Sequence, residues 1–393
     1  MRNDSYIRGV EMNKVNIVRC GNYEFENVKK AVYEALEGID AIRLKITKGS
    51  RVLVKTNLLM RKNPDDAVTT HPMVVEAIVR YLQELDCKVI IGDSPGGPFT
   101  EWNLKSVYKA AGMFEVAQRT GCELNFNTEV LEISNPDAKR LKSMQIIKIA
   151  TEVDFVVSAA KLKTHGMMTY TGAVKNLFGV IPGLVKADYH LRLNSVDNFA
   201  DHLVDICEAV KPVFSIIDGV DGMEGDGPSA GEKRHVGLIL ASDSPYALDT
   251  VASSIIGMEP MIVPTIRVAK ERNLFSGNLD DVQINGVQLG EIKLAPFKLP
   301  SSVNVNFVGG RVSKVFEKFL LNNLRPKPVF NYDLCVSCGD CKRSCPPGII
   351  DMSSGKPVPD LSKCIRCFCC HELCPKKAVD IKKHWLYDRM LKK

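Results

Sequence analysis

The chain reads as an α/β protein in two parts, a large domain on a mostly parallel sheet followed by a small cysteine-rich α+β module. Three observations predict this. From residue 12 to about 310, short β-branched runs alternate with amphipathic segments, the pattern of strands joined by crossover helices. Two near-identical cysteine runs follow near the C-terminus. A length of 393 residues leaves room for one large core plus a small module.

In chain order the strand candidates are 15–19, 51–55, 88–91, 153–158, 213–217, 237–241 and 303–308. Helix candidates are 26–37, 72–85, 104–111, 199–210 and 246–256. Pro72 opens its helix, where a missing N–H removes no intrahelical bond. Arg325-Pro326-Lys327-Pro328 predicts a stiff linker. The expected domains are therefore 12–310, a helix and linker over 311–330, a module over 331–383 and a basic tail over 384–393.

Charged residues make up 25% and hydrophobic residues 45%, ordinary for a globular chain, and the net charge is +6. Part of the basic excess lies at the end, in Lys376, Lys377, Lys382, Lys383, Arg389, Lys392 and Lys393. This is either a solvated face or a dock for an acidic redox partner protein. No basic platform interleaved with aromatics points to nucleic acid. No run of eighteen apolar residues predicts a membrane span, and no apolar leader opens the chain. The expected location is the cytoplasm, where Cys20, Cys87, Cys122 and Cys207 persist as buried thiols.

The first cysteine run is Cys335, Cys338, Cys341 and Cys345-Pro346; the second is Cys364, Cys367, Cys370 and Cys374-Pro375. Each reads C-x-x-C-x-x-C-x-x-x-C-P, the ligand-loop spacing of a cubane iron–sulfur cluster. Zinc also takes paired C-x-x-C, but eight cysteines in two runs closed by Cys-Pro favour iron and sulfide. The runs resemble those of bacterial two-cluster ferredoxins, whose repeats exchange the fourth thiolate. The resemblance implies a ferredoxin-like module with two 4Fe–4S clusters. Cluster I would take Cys335, Cys338, Cys341 and Cys374; cluster II would take Cys345, Cys364, Cys367 and Cys370. Cys369 falls inside the second run but outside its spacing, as a packed thiol or a substitute ligand.

Four regions of the large domain hold more function-capable residues than packing needs. Lys55 and Asn57 end one strand. Asp93 sits in Ile91-Gly92-Asp93-Ser94-Pro95-Gly96-Gly97, a glycine-rich turn or an anion cradle. The densest region, expected as loop after strand 153–158, holds Lys161, Lys163, His165, Lys175, Asn176 and His190. Lysines and histidines there suit anion binding, Schiff-base chemistry, proton transfer or metal ligation. The fourth, Asp218 to Pro228, sets Asp218, Asp221, Glu224 and Asp226 among glycines, suited to a cation or a hydroxylated ligand. Asp249 follows the next strand and reads as a helix-start residue.

In these regions the chain resembles the domain-of-unknown-function family numbered 362, over about residues 50 to 260. The motifs are VKTN, IIGDSPGG, AAKLKTHGMMTYTGAVKNLFGVIPG and DGVDGMEGDGPSAG followed by ALDTVA. The resemblance implies an α/β domain often joined to iron–sulfur ligands and carries no defined activity. TGAVKNLFGVIPG is also similar to a segment of the lactate racemase family, whose lysine tethers a nickel-pincer nucleotide between two histidines. His165, Lys175 and His190 stand in that order here, while the arginine that precedes the family's lysine is Val174.

The leading expectation is an iron–sulfur oxidoreductase of reductive, anaerobic metabolism, relaying electrons between two clusters and a Lys/His/Asp site. His165, Lys175 and His190 would be catalytic; Lys55, Asn57, Asp93, Lys161, Lys163, Asn176, Asp218 and Glu224 would bind a small-molecule substrate or an additional metal or organic cofactor. One alternative is a ferredoxin-type electron carrier whose large domain docks partners. Another is a redox-dependent protein that assembles a cofactor or metal centre.

Overall fold

A computed structural model describes residues 12–193, 195–301 and 326–382. The strand expected at 303–308, the tail at 384–393 and the helix before the linker lie outside the described residues.

The strands of the large domain are β1 (Asn13–Arg19), β2 (Arg51–Lys55), β3 (Lys88–Gly92), β4 (Glu123–Leu124), β5 (Val130–Ser134), β6 (Ser143–Ile147), β7 (Phe155–His165), β8 (Thr169–Thr171), β9 (Phe214–Glu224), β10 (Glu232–Ser242) and β11 (Val282–Gly286). All but the β5–β6 hairpin share one sheet in the order β11-β1-β10-β9-β7-β2-β3-β4, with β8 folded back on β7. From β9 through β4 every neighbour is parallel. Only β10, set between β1 and β9, and the short β8 run antiparallel.

Central strands are buried on both faces, so they read as continuous apolar runs. In β2, Leu53 joins one core and Val52 and Val54 the other. Helices Phe25–Leu36, Pro72–Glu84, Glu101–Ala110 and Met113–Thr120 cover one face. Helices Val196–Val210, Pro245–Ile255 and Pro264–Glu271 cover the other. The chain steps outward from β2 to β3 and β4, then returns to the opposite side of β2 as β7. Strand order reverses there, the place where an open parallel sheet leaves a crevice beyond its carboxyl ends.

Three strands run well beyond their expected bounds, β10 from Glu232 and two that carry site residues. β7 continues through His165 and β9 through Glu224, so Lys161, Lys163, His165, Asp218 and Glu224 stand on strands instead of loops. The backbone has partners on both sides: Lys161 pairs with Asp218, and Lys163 with both Met223 and Thr171. Satisfied N–H and C=O groups hold the ladder together through a stretch of charged side chains.

The stretch expected as a linker also differs. Lys327–Phe330 is a strand, β12, antiparallel to β15 (Val379–Lys382). Between them lie the two-residue pair β13 (Ile350–Asp351) and β14 (Val358–Pro359). Pro328 is tolerated because a two-stranded ribbon is all edge. After each cysteine run begins, one helical turn follows, Asp340–Arg343 and Cys369–Glu372. No helix among the described residues is long and apolar enough to cross a membrane.

Candidate functional site

A cavity of about 110 Å³ opens beyond the carboxyl ends of β2, β3 and β7, and the C-terminal module forms its opposite wall. Its floor is a closed polar frame. Lys55, the last residue of β2, exposes only 1% of its surface. Its Nζ lies 2.9 Å from Asp93 Oδ1 and donates to Asn176 Oδ1 at 3.1 Å and to the Thr56 carbonyl. Asp93 Oδ2 accepts the Leu58 N–H at 2.7 Å. The Asn176 amide donates to the Lys55 carbonyl (3.1 Å) and to Ser158 Oγ (3.0 Å).

The short helix Ala173–Asn176 delivers Lys175 and Asn176 to this frame. Asp249, from another helix, caps it by accepting the N–H groups of Ala173 (2.6 Å) and Val174 (3.1 Å). Burial pushes the Asp249 carboxyl up to about 7, with those donors opposing the rise. Glycines on either side permit the close approach. A Cβ on Gly172 would fall 2.1 Å from Asp249 Oδ1, and one on Gly179 would fall 2.2 Å from Asp93 Oδ1.

Above the frame stand three more lysines. Lys163 Nζ donates to Asn57 Oδ1 and the Val68 carbonyl, both at 2.7 Å. Lys186, from the helix Val185–Arg192, donates to the Ser94 and Ile181 carbonyls at 2.6 Å. Lys175 Nζ lies 5.7 Å from the Phe178 ring centre and has no hydrogen bond among the described residues. Burial lowers the pKa of all four lysines, and brings Lys186 to about 7. Asp93 pulls Lys55 back up, whereas Lys175 and Lys161 push Lys163 further down.

His190 also lines the cavity, its ring stacked on Phe199 at 4.4 Å. Burial, then Lys175, depresses it to about 3, so it is a neutral imidazole with an unpartnered Nδ1. His165 stands behind the lining. Its Nδ1 accepts the N–H groups of Met167 (3.0 Å) and Met168 (3.2 Å), which assigns the proton to Nε2. That nitrogen lies 3.5 Å from Glu372 Oε1.

Glu372, Cys369, Leu373 and Ser344 form the module's wall. Burial raises the Glu372 carboxyl, and Lys175 opposes the rise. Ser229 Oγ donates to the Glu372 carbonyl, and Lys377 Nζ to the Gly231 carbonyl at 3.3 Å. Leu373 presses on Gly96 so closely that a Cβ there would fall 2.4 Å from its Cδ2.

Within the module, Cys345, Cys364, Cys367 and Cys370 surround one space of about 20 Å³. Cys335, Cys338, Cys341 and Cys374 surround another of about 20 Å³. Each set takes three thiols from one run and the fourth from the other. No three His, Cys, Asp or Glu side chains among the described residues converge as for a single metal ion. A cubane presents its irons at separate corners, so thiols arranged around a space suit it, and the donor set is all sulfur.

Of the residues singled out from the sequence, the cavity brings together Lys55, Asn57, Asp93, Lys163, Lys175, Asn176 and His190. Lys161, Asp218 and Glu224 do not line it. Lys161 Nζ is 2.8 Å from Asp218 Oδ2, with the Tyr23 hydroxyl bridging both residues. Glu224 is held by Arg234 at 3.3 Å and by the Lys298 N–H at 3.1 Å. Lys186 and Glu372 escaped the sequence reading. The only signal for Glu372 is a carboxylate set between two cysteines of the repeat.

Residues 52–254 match the family described as domain of unknown function (DUF362), and residues 327–375 match the 4Fe-4S dicluster domain. The C-terminal module is thus an iron–sulfur module of the 4Fe–4S type. A thylakoid-associated protein of Synechocystis sp. is 32% identical over 263 residues, 66% of this chain and 78% of that protein. Among solved structures, the lactate racemase apoprotein from Thermoanaerobacterium thermosaccharolyticum is similar at 13% identity and a TM-score of 0.40 over 63% of this chain and 58% of that one. A Thermotoga maritima protein follows at 15% identity and 0.33, over 56% of each chain. The chain therefore spans little more than half of either solved protein, and likenesses this distant carry nothing about the site.

Proposed function

We propose that this chain, which belongs to the DUF362 family, is an iron–sulfur redox enzyme with two 4Fe–4S clusters and an anion-binding active site between its two domains. One observation carries the reading. The helical turn Cys369–Glu372 contains Cys370, a thiol of the second set, and also supplies the wall of the lysine cavity. A cluster held there would exchange single electrons, at a potential between about −700 and +450 mV.

In this reading Cys345, Cys364, Cys367 and Cys370 hold the cluster beside the cavity. Cys335, Cys338, Cys341 and Cys374 hold the other, whose Cys338 is exposed and suits electron exchange with a partner protein. Lys163, Lys175 and Lys186 bind the anionic substrate. His190 presents its unpartnered Nδ1 to the cavity. A bound anion beside it would favour the protonated ring and so fit it to exchange a proton. Lys55 with Asp93 and Asn176 keeps the floor rigid. His165 is a positioning residue acting through Glu372. Buried free thiols at Cys20, Cys87, Cys122 and Cys207 suit a reducing compartment such as the cytoplasm.

Native mass spectrometry of anaerobically purified protein tests the cluster count. The mass should equal the polypeptide plus two cubanes; a single cluster would overturn the two-cluster reading, and further mass would mean an added cofactor in the large domain. Redox titration tests the coupling. A cation near a cluster favours its reduced, more negative state, so Lys175→Met should lower the potential of one cluster and leave the other unchanged. Two unchanged potentials would separate the cavity from the electron path.

A further inference from the structure

We infer that the cavity's ligand is a compact dianion, a small molecule with two negative charges such as a phosphate monoester or a short dicarboxylate. This inference rests on reading the cavity as the substrate site. It follows from a charge balance among the side chains that line the space.

Lys55 is already neutralised, with Asp93 Oδ1 at 2.9 Å. Lys163 and Lys186 are held by neutral acceptors alone, an amide oxygen, carbonyls and a hydroxyl. Lys175 makes neither an ion pair nor a hydrogen bond among the described residues. Against these three amines the lining offers one further carboxylate, Glu372, whose Oε1 has no hydrogen-bond partner. Its nearest basic group is His165 Nε2 at 3.5 Å. With all three amines protonated, one carboxylate leaves two positive charges for a ligand to balance. Burial alone disfavours the ammonium form of each amine, and an anion beside them restores it, so this surplus belongs to the liganded cavity.

Size narrows the class further. One ordered water needs about 10–15 Å³ of such space. A cavity of about 110 Å³ therefore takes a ligand of several heavy atoms. A monoanion would leave an ammonium buried without a partner. A dianion satisfies the balance and gives each amine a charge-assisted hydrogen bond.

The test is isothermal titration calorimetry of the anaerobic holoprotein at pH 7, with methyl phosphate, malonate, acetate and chloride as probes. At least one dianion should bind one-to-one and at least about tenfold tighter than acetate or chloride. Methyl phosphate binding more tightly assigns a phosphate monoester, and malonate binding more tightly a dicarboxylate. Lys163→Met and Lys175→Met should each weaken that binding about tenfold or more, as expected for loss of a charge-assisted contact. The exposed Lys45→Met should leave it unchanged, and cluster absorbance checks that each variant is folded. Equal affinity for acetate and the dianions, or undiminished binding in both lysine variants, would overturn the inference. The electron paramagnetic resonance spectrum of the reduced protein separates this outcome from that of the redox reading. A dianion that binds as described without changing the spectrum supports the ligand class and counts against electron transfer to the cavity.

Discussion

Asp93→Asn should destabilise the protein by about 3–5 kcal/mol, because it leaves the Lys55 ammonium buried without its counter-charge. The two side chains expose 1% and 4% of their surface, with Nζ and Oδ1 2.9 Å apart. At an effective dielectric near 20, unit charges at that distance attract by about 6 kcal/mol. Desolvating both groups offsets most of this, so the intact pair is close to neutral for stability. Breaking it is not. Lys55 has one escape, losing its proton, which burial already favours and Asp93 alone opposes through charge; that route holds the cost near the lower end of the range. Lys55→Met should cost a similar amount, by stranding the Asp93 carboxylate. The double variant Lys55→Met/Asp93→Asn removes both charges and should cost little more than either single, giving a coupling of about 2–3 kcal/mol. Urea unfolding of the anaerobic holoprotein, followed by far-ultraviolet circular dichroism, measures the cycle. Single variants below about 1 kcal/mol, or effects that add to within about 0.5 kcal/mol, would refute the buried pair.

Three further outcomes follow from the site. Lys186 titrates at about 7 in the free cavity, with Asp93, Lys55 and Lys175 as its charged neighbours. It is a cation below that pH and neutral above it, so dianion affinity should fall as pH rises through 7, and Lys186→Met should flatten that part of the profile. Gly96→Val places a side chain where Leu373 sits, an overpacking worth about 1–3 kcal/mol; limited proteolysis should separate the two domains faster while iron content stays the same. Cys369→Ser should keep the full iron and sulfide content, whereas Cys370→Ser should lose the share of one cluster, about half; equal loss in both would make Cys369 a ligand.

The α/β character was legible because the central strands are apolar through their length. VLVK and VIIG announce β2 and β3, and each ends in the residue that starts the site, Lys55 and Gly92 before Asp93. The ends of β7 and β9 were not legible. A run such as Lys161-Leu162-Lys163-Thr164-His165 looks like solvated loop until partners are supplied from afar. Those partners are Asp218 and Tyr23 for Lys161, and Asn57 and the Val68 carbonyl for Lys163. Asp249 shows the same limit at the level of one residue, since it sits on one helix and caps another.

Glu372 marks where local pattern runs out altogether. Within its own segment it is a carboxylate between ligand-type cysteines, with a spacing that any residue would satisfy. Its character comes from docking: Leu373 against Gly96, its own carbonyl on Ser229, and His165 opposite its carboxyl. The turn Cys369–Glu372 therefore answers to two constraints, thiol placement on one side and the cavity wall on the other. A change that moves this turn should alter cluster and cavity together, while changes at Lys163 or Lys186 should reach the cavity alone. Comparing anion affinity and cluster potential across those two sets of variants separates a shared wall from mere proximity.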